Sequence, residues 1–121
     1  MNNQLVNIVY LEGVDIDNNG NLMPHVGNGK PVLVLIQTNY CGYCSQAKPA
    51  YKELIAMVPN AVIATVQSDG GESDKLASSK LGKNKGQGVP SYLGFDKNGK
   101  FVRRHEGGRD ANSLKNFISQ I

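Results

Sequence analysis

Only two of the 121 residues are cysteine, and the two histidines, His25 and His105, stand far apart along the chain. A structural zinc ion wants four nitrogen, sulfur or carboxylate ligands, so this inventory argues against a metal centre. Positive residues outnumber negative ones only slightly, for a net charge of +3. Their nearest approaches to clusters, Lys80, Lys83 and Lys85 and then Arg103 and Arg104, lack the interleaved stacking aromatics of a nucleic-acid groove and are expected to be solvated surface. No apolar run approaches the roughly 20 residues needed to cross a bilayer. Nor does the N-terminus show a basic segment leading into an apolar core, because Glu12, Asp15 and Asp17 arrive early. Neither nucleic acid nor membrane is therefore expected as a partner, and a cytoplasmic location is expected. No repeat, linker or low-complexity segment divides residues 1–121, which read as a single domain.

In such a chain two cysteines argue for redox chemistry or metal binding before a structural staple. They fall in Tyr40-Cys41-Gly42-Tyr43-Cys44. The run before them, Pro31 to Ile36, is apolar and largely β-branched, the pattern of a strand buried on both faces. After them, Ala47, Tyr51, Leu54, Ile55 and Val58 recur at the spacing of one helix face. The cysteines thus occupy a strand-to-helix junction. Unpaired backbone N–H groups and the positive end of the helix dipole stabilise a thiolate there, lowering a cysteine pKa from about 8.5 into a range of roughly 3.5 to 7.5. Cys41 is the better placed to be the nucleophile; Cys44, further into the helix, is expected to be more buried and to resolve the intermediate.

Elsewhere, Leu5 to Leu11 suggests a first strand. The stretch from Glu12 to Lys30, with four glycines and Pro24, suggests turns and a short hairpin. Within it Asp15 to Asn21 matches the first half of a calcium loop, but Val26 stands where a bidentate glutamate is required, so a turn-rich loop is expected. Pro49 falls inside the helix that carries Cys44 and is expected to kink it. Ala61 to Gln67 is a second buried strand. Asp74 to Leu81 is a short helix with Leu76, Ala77 and Leu81 inward, and Gly82 to Gly88 is a loop. Val89 to Phe95 and Lys100 to His105 are strands joined through Asp96-Lys97-Asn98-Gly99, whose Asn-Gly tolerates positive φ. Asp110 is a plausible N-cap for a last helix with Ala111, Leu114, Phe117, Ile118 and Ile121 on one face. Helices alternating with strands, then a hairpin, imply an α/β fold with a central mixed β-sheet flanked by helices on both faces.

From about residue 31 to the end the chain resembles the thioredoxin superfamily. The resemblance rests on Cys41-Gly42-Tyr43-Cys44 after a buried strand, Pro49, Gly88-Val89-Pro90, the Asp96-to-Lys100 turn, and Gly107 before a closing helix. It implies the thioredoxin fold and thiol–disulfide oxidoreductase activity, with Pro90 cis beside the active cysteine and the backbone before it pairing with substrate. Having no N–H, a proline at a strand start also leaves the backbone groups of Val89 open to an extended peptide. Substrate contacts are accordingly expected from Tyr40, Gly42, Tyr43, Val89 and Pro90, with Cys41 as nucleophile and Cys44 as resolving thiol. No cofactor is expected besides the Cys41–Cys44 pair. The implied partners are protein disulfides and, as electron donor, a reductase or glutathione; a monomer is expected.

Several positions depart from the usual pattern. Tyr40 replaces a tryptophan, Tyr43 a proline, and Leu35 a buried aspartate that assists proton transfer to the second cysteine; no lysine matches in the strand from Ala61 to Gln67. The family's first helix is not evident in residues 1–30, an atypical N-terminal strand and turn-rich segment. The pair between the cysteines tunes redox potential. Cys-Gly-Tyr-Cys is similar to bacterial periplasmic disulfide isomerases, and a tyrosine before the second cysteine is similar to glutaredoxins, as is Gly107-Gly108-Arg109-Asp110, which also reads as a strand-ending turn and N-cap. Disulfide-isomerase-like and glutathione-linked roles therefore stay open. A thioredoxin-fold binding module with little redox role is the alternative of another class.

Overall fold

A computed structural model describes residues 8–38, 41–85 and 89–121. The elements run β1 (Val9–Tyr10), a 3₁₀ turn (Gly13–Asp15), α1 (Pro24–Gly27), β2 (Val32–Gln37), α2 (Gly42–Met57), β3 (Val62–Gln67), α3 (Glu72–Lys85), β4 (Ser91–Phe95), β5 (Phe101–His105) and α4 (Ala111–Ser119). They form one five-stranded sheet in the order β1-β3-β2-β4-β5. β2 pairs in parallel with β3 and antiparallel with β4, and β5 closes the sheet as an antiparallel edge. The sheet is mixed, as the order of the patterns implies.

β2 is buried along its whole length because both faces of the sheet are covered. Val32, Val34 and Ile36 join Ala64, Val66, Ala77, Leu81, Leu93 and Phe95 in the core under α3. Leu33 and Leu35 face the other way, with Ile63, Tyr51, Leu54, Tyr92, Leu114 and Phe117, under α2 and α4. Period-2 alternation on a central strand thus builds two cores at once.

The N-terminal segment is folded although it is irregular. Ile16 bridges Leu22 in antiparallel fashion, and Asp17 Oδ1 accepts from the N–H groups of Asn19 and Asn21 at 2.8 and 2.9 Å. The half calcium motif is a side-chain-stabilised turn. Asn21 and Leu22 then hold the β4–β5 hairpin, through Phe101 N–H to Asn21 Oδ1 and Leu22 N–H to Gly99 O.

Three expectations are revised. The segment read as a loop from Gly82 to Gly88 continues α3 as far as Lys85, and residues 86–88 lie outside the described residues: lysine and asparagine extend a helix at small cost, and one glycine does not stop it. Lys80 is partly buried instead of solvated, and its Nζ donates to the carbonyls of Gly13 and Ile16, both at 2.8 Å, fastening the 3₁₀ turn to α3. Leu76 is 49% exposed, while Ala77 and Leu81 are fully buried. Pro49 lies inside α2, as expected, and the helix runs on to Met57. The Leu5 to Leu11 strand is represented by Val9–Tyr10, and residues 5–7 lie outside the described residues.

Candidate active site

The described residues singled out around the cysteines converge on one end of the sheet. β2 ends at Gln37 and leads toward Cys41. Antiparallel pairing of β4 places its start at that same end, with Ser91 opposite Ile36. Tyr92 pairs with His105, so the loop after β5 emerges there too. The segments 41–44, 89–90 and 106–110 therefore share one rim.

Cys41 is the N-cap of α2: its Sγ accepts the N–H of Cys44 at 3.0 Å. The first turn of a helix leaves N–H groups without intrahelical acceptors, and here sulfur takes one. Cys41 and Cys44 are joined as a disulfide, with Cα atoms 5.1 Å apart. Cys41 is partly exposed and Cys44 is fully buried. Gly42 and Tyr43 face outward from the first turn, Tyr43 being 65% exposed. A Cβ at Gly42 would meet nothing within 4 Å, so space there is open. The Val89–Pro90 peptide bond is cis, as the resemblance implies. Both residues are partly buried, and Val89 packs against the core under α3. Tyr40 and Gly88 lie outside the described residues.

Beneath this rim, Leu35 is fully buried, and neither β2 nor β3 carries an ionisable side chain. Polar groups are nonetheless present, and sequence reading missed them. Gln37, Thr65 and Gln67 are all buried, and strand alternation sets them on the α2 side with Leu35 and Ile63. Thr65 donates to Leu35 O at 2.7 Å and accepts from Gln37 Nε2 at 2.9 Å. That chain of bonds turns Gln37 Oε1 away from Thr65, and it has no partner among the described residues. The signal was available: alternation predicts that Gln37, Thr65 and Gln67 share the face of Leu35.

The loop beyond β5 is tied down at both ends. His105 Nε2 donates to Gly108 O at 2.7 Å, and Asp110 caps α4 by accepting from Ser113 N–H at 3.1 Å and Ser113 Oγ at 2.6 Å. Those bonds from Ser113 hold the Asp110 carboxyl below its ordinary range. Burial pushes the Tyr92 hydroxyl up to about 12 against the opposing pull of the Arg109 charge. Burial, then the neighbouring Tyr92, raises Tyr51 well above its usual value. Among the described residues no three His, Cys, Asp or Glu side chains converge as a metal site.

Residues 13–120 match the family described as Thioredoxin. Over 131 aligned residues the chain is 34% identical to the thioredoxin-like protein 453L of Invertebrate iridescent virus 6, covering 92% of this chain and 91% of the viral one. It is 37% identical over 98 residues to the protein disulfide-isomerase erp38 of Neurospora crassa, an alignment that takes in 77% of this chain but 25% of the isomerase. The chain thus spans about a quarter of that relative's length. Among solved structures, Fasciola hepatica thioredoxin superposes with a TM-score of 0.62 at 23% identity over 76% of this chain and 81% of its own, which speaks to the fold alone. With a family match over residues 13–120 and a cysteine pair where the chemistry needs one, the chain belongs to the thioredoxin family and is a thiol–disulfide oxidoreductase.

Proposed function

We propose that the chain exchanges electrons with protein disulfides, Cys41 attacking and Cys44 resolving. The observation that carries this reading is the capping bond from Cys44 N–H to Cys41 Sγ, which puts a half-exposed sulfur against the positive end of α2 while Cys44 is fully buried. In the reduced protein the Cys41 thiolate attacks one sulfur of a substrate disulfide. That S–S bond breaks, a mixed disulfide forms, and the departing substrate thiolate takes a proton. Cys44 then loses its proton and attacks Cys41 Sγ, forming Cys41–Cys44 and releasing the second substrate thiolate, which is protonated in turn. The substrate gains two electrons and two protons; run backwards, the steps oxidise a dithiol.

An extended substrate segment would pair with the backbone at Val89 beside Pro90, with Gly42, Tyr43 and Tyr40 around the mouth. With no ionisable group on β2 or β3, the proton leaving Cys44 passes to solvent. Electrons return to the disulfide from a reductase or glutathione by the same exchange, and no further cofactor takes part. The cytoplasm and a monomeric state are the proposed setting. A disulfide-isomerase role is the second reading, favoured by the erp38 likeness. The test is reduction of a protein disulfide by the chain with a chemical dithiol as donor. The rate is expected to fall to the uncatalysed level in Cys41→Ser; full activity in that variant would reject the proposal. The reduction potential of the pair then decides between reductant and isomerase.

A further inference from the structure

Beside Tyr43 lies an open cavity of about 290 Å³ lined by Tyr43, Gln46, Ala47, Ala50, Arg109 and Asp110. Its two sides come from different elements. One is the first two turns of α2, where small Ala47 and Ala50 leave room beneath the projecting Tyr43 ring. The other is the loop before α4, from which the Arg109 guanidinium reaches across, 5.5 Å from the centre of that ring. Stacking on an aromatic face holds a guanidinium while leaving its N–H donors free to meet another group.

Two features make this cation a recognition element and not a surface ornament. Its backbone is preset, since Gly108 on one side is held by His105 and Asp110 on the other by Ser113. It is also unneutralised. Among the described residues no carboxylate forms an ion pair with Arg109, and the adjacent Asp110 is committed to Ser113. A planar cation in fixed position, over a partly apolar floor, next to the residue that separates it from Cys44, matches a carboxylate on the incoming polypeptide.

We infer that the Tyr43–Arg109 groove selects substrate segments bearing an acidic side chain close to the disulfide cysteine. Tyr43 stands two residues after Cys41, the sulfur that takes up the substrate cysteine, and an extended chain advances about 3.3 Å per residue, so the acidic side chain belongs to a residue within about three positions of the substrate cysteine. The inference rests on the exchange activity proposed above and adds a preference among its substrates.

Three disulfide-linked peptides, identical except for Asp, Asn or Lys two residues from the cysteine, test it with the reduced full chain, initial rates being read by release of a quenched fluorophore. At low salt the Asp peptide is expected to react about two- to fivefold faster than the Lys peptide, the span of an exposed ion pair, and the spread should shrink at about 0.5 M salt. Arg109→Gln should collapse the spread, Arg109→Glu should reverse the order, and Arg109→Lys should keep the order with a smaller spread. Any influence of residue 109 on the reactivity of the cysteines multiplies all three rates alike and cancels in their ratio. Thermal melts confirm that the exposed-site variants are folded. Equal rates for the three peptides in the wild type, or an order unchanged in Arg109→Glu, would overturn the inference while leaving the exchange activity intact. A wild type no faster than Cys41→Ser on every peptide would overturn the activity and the inference with it.

Discussion

Two buried tyrosines, Tyr51 and Tyr92, make the stability of the fold sensitive to alkaline pH. Tyr51 and Tyr92 lie with ring centres 5.9 Å apart under α2 and α4, and burial holds both hydroxyls protonated. A tyrosine in the unfolded chain ionises near 10, whereas Tyr92 in the fold does so at about 12. Its folded value is raised, so its contribution to stability is complete below pH 10 and is lost as pH climbs from there toward about 12. Melting temperature measured across that interval is expected to drop, and to drop less in Tyr92→Phe. A Tyr92→Phe profile as steep as the wild type's would contradict this assignment. The same neutrality explains Leu35: with Thr65 bonded to its carbonyl and Gln37 bonded to Thr65, polar contact is retained beside the site without a buried charge. Single-residue comparison with the family marked an acid as lost at Leu35, but the polar groups that remain come from three positions on two strands, which only strand register brings together.

At the scale of elements, local rules were most readable where local chemistry decides. The Asp96-to-Gly99 turn is one example: Asp96 Oδ1 accepts from Asn98 and Lys100 N–H groups, and Gly99 takes φ +83°. A Cβ there would also sit 2.4 Å from Leu22 O. Gly99→Ala combines left-handed strain with a backbone clash and is expected to cost about 2 kcal/mol, measured by urea denaturation; a loss under 0.5 kcal/mol would mean the hairpin is not anchored on Leu22 as described. Asp110 as cap of α4 was legible for the same reason, since a cap acts within three residues. The end of α3 was not. Lys83, Asn84 and Lys85 have no strong preference of their own, and glycines at 82 and 86 read as loop, yet the helix persists to Lys85. Lys80 reaching back to Gly13 and Ile16 is a contact between positions more than sixty residues apart, outside the range of any local pattern.

At the scale of the whole molecule, the sheet delivers function by geometry: parallel β2 and antiparallel β4 and β5 bring the cysteine turn, the Val89–Pro90 bond and the Arg109 loop to one rim. The cysteine pair, the proline and the closing hairpin were legible because each carries a residue type with a narrow physical use. Arg109 was visible only as part of a Gly-Gly-Arg-Asp turn, because its pairing with Tyr43 joins residues far apart in the sequence and leaves no periodic trace. The family match and the disulfide agree that the chain is an oxidoreductase, so the central claim is the division of labour between its two sulfurs. That division is tested most directly by trapping. Cys44→Ser and Cys41→Ser variants, each reduced and then mixed with a disulfide-bonded protein, are resolved by non-reducing electrophoresis and mass spectrometry. The account predicts a mixed disulfide through Cys41 accumulating with Cys44→Ser and none with Cys41→Ser; equal trapping by both variants would contradict it.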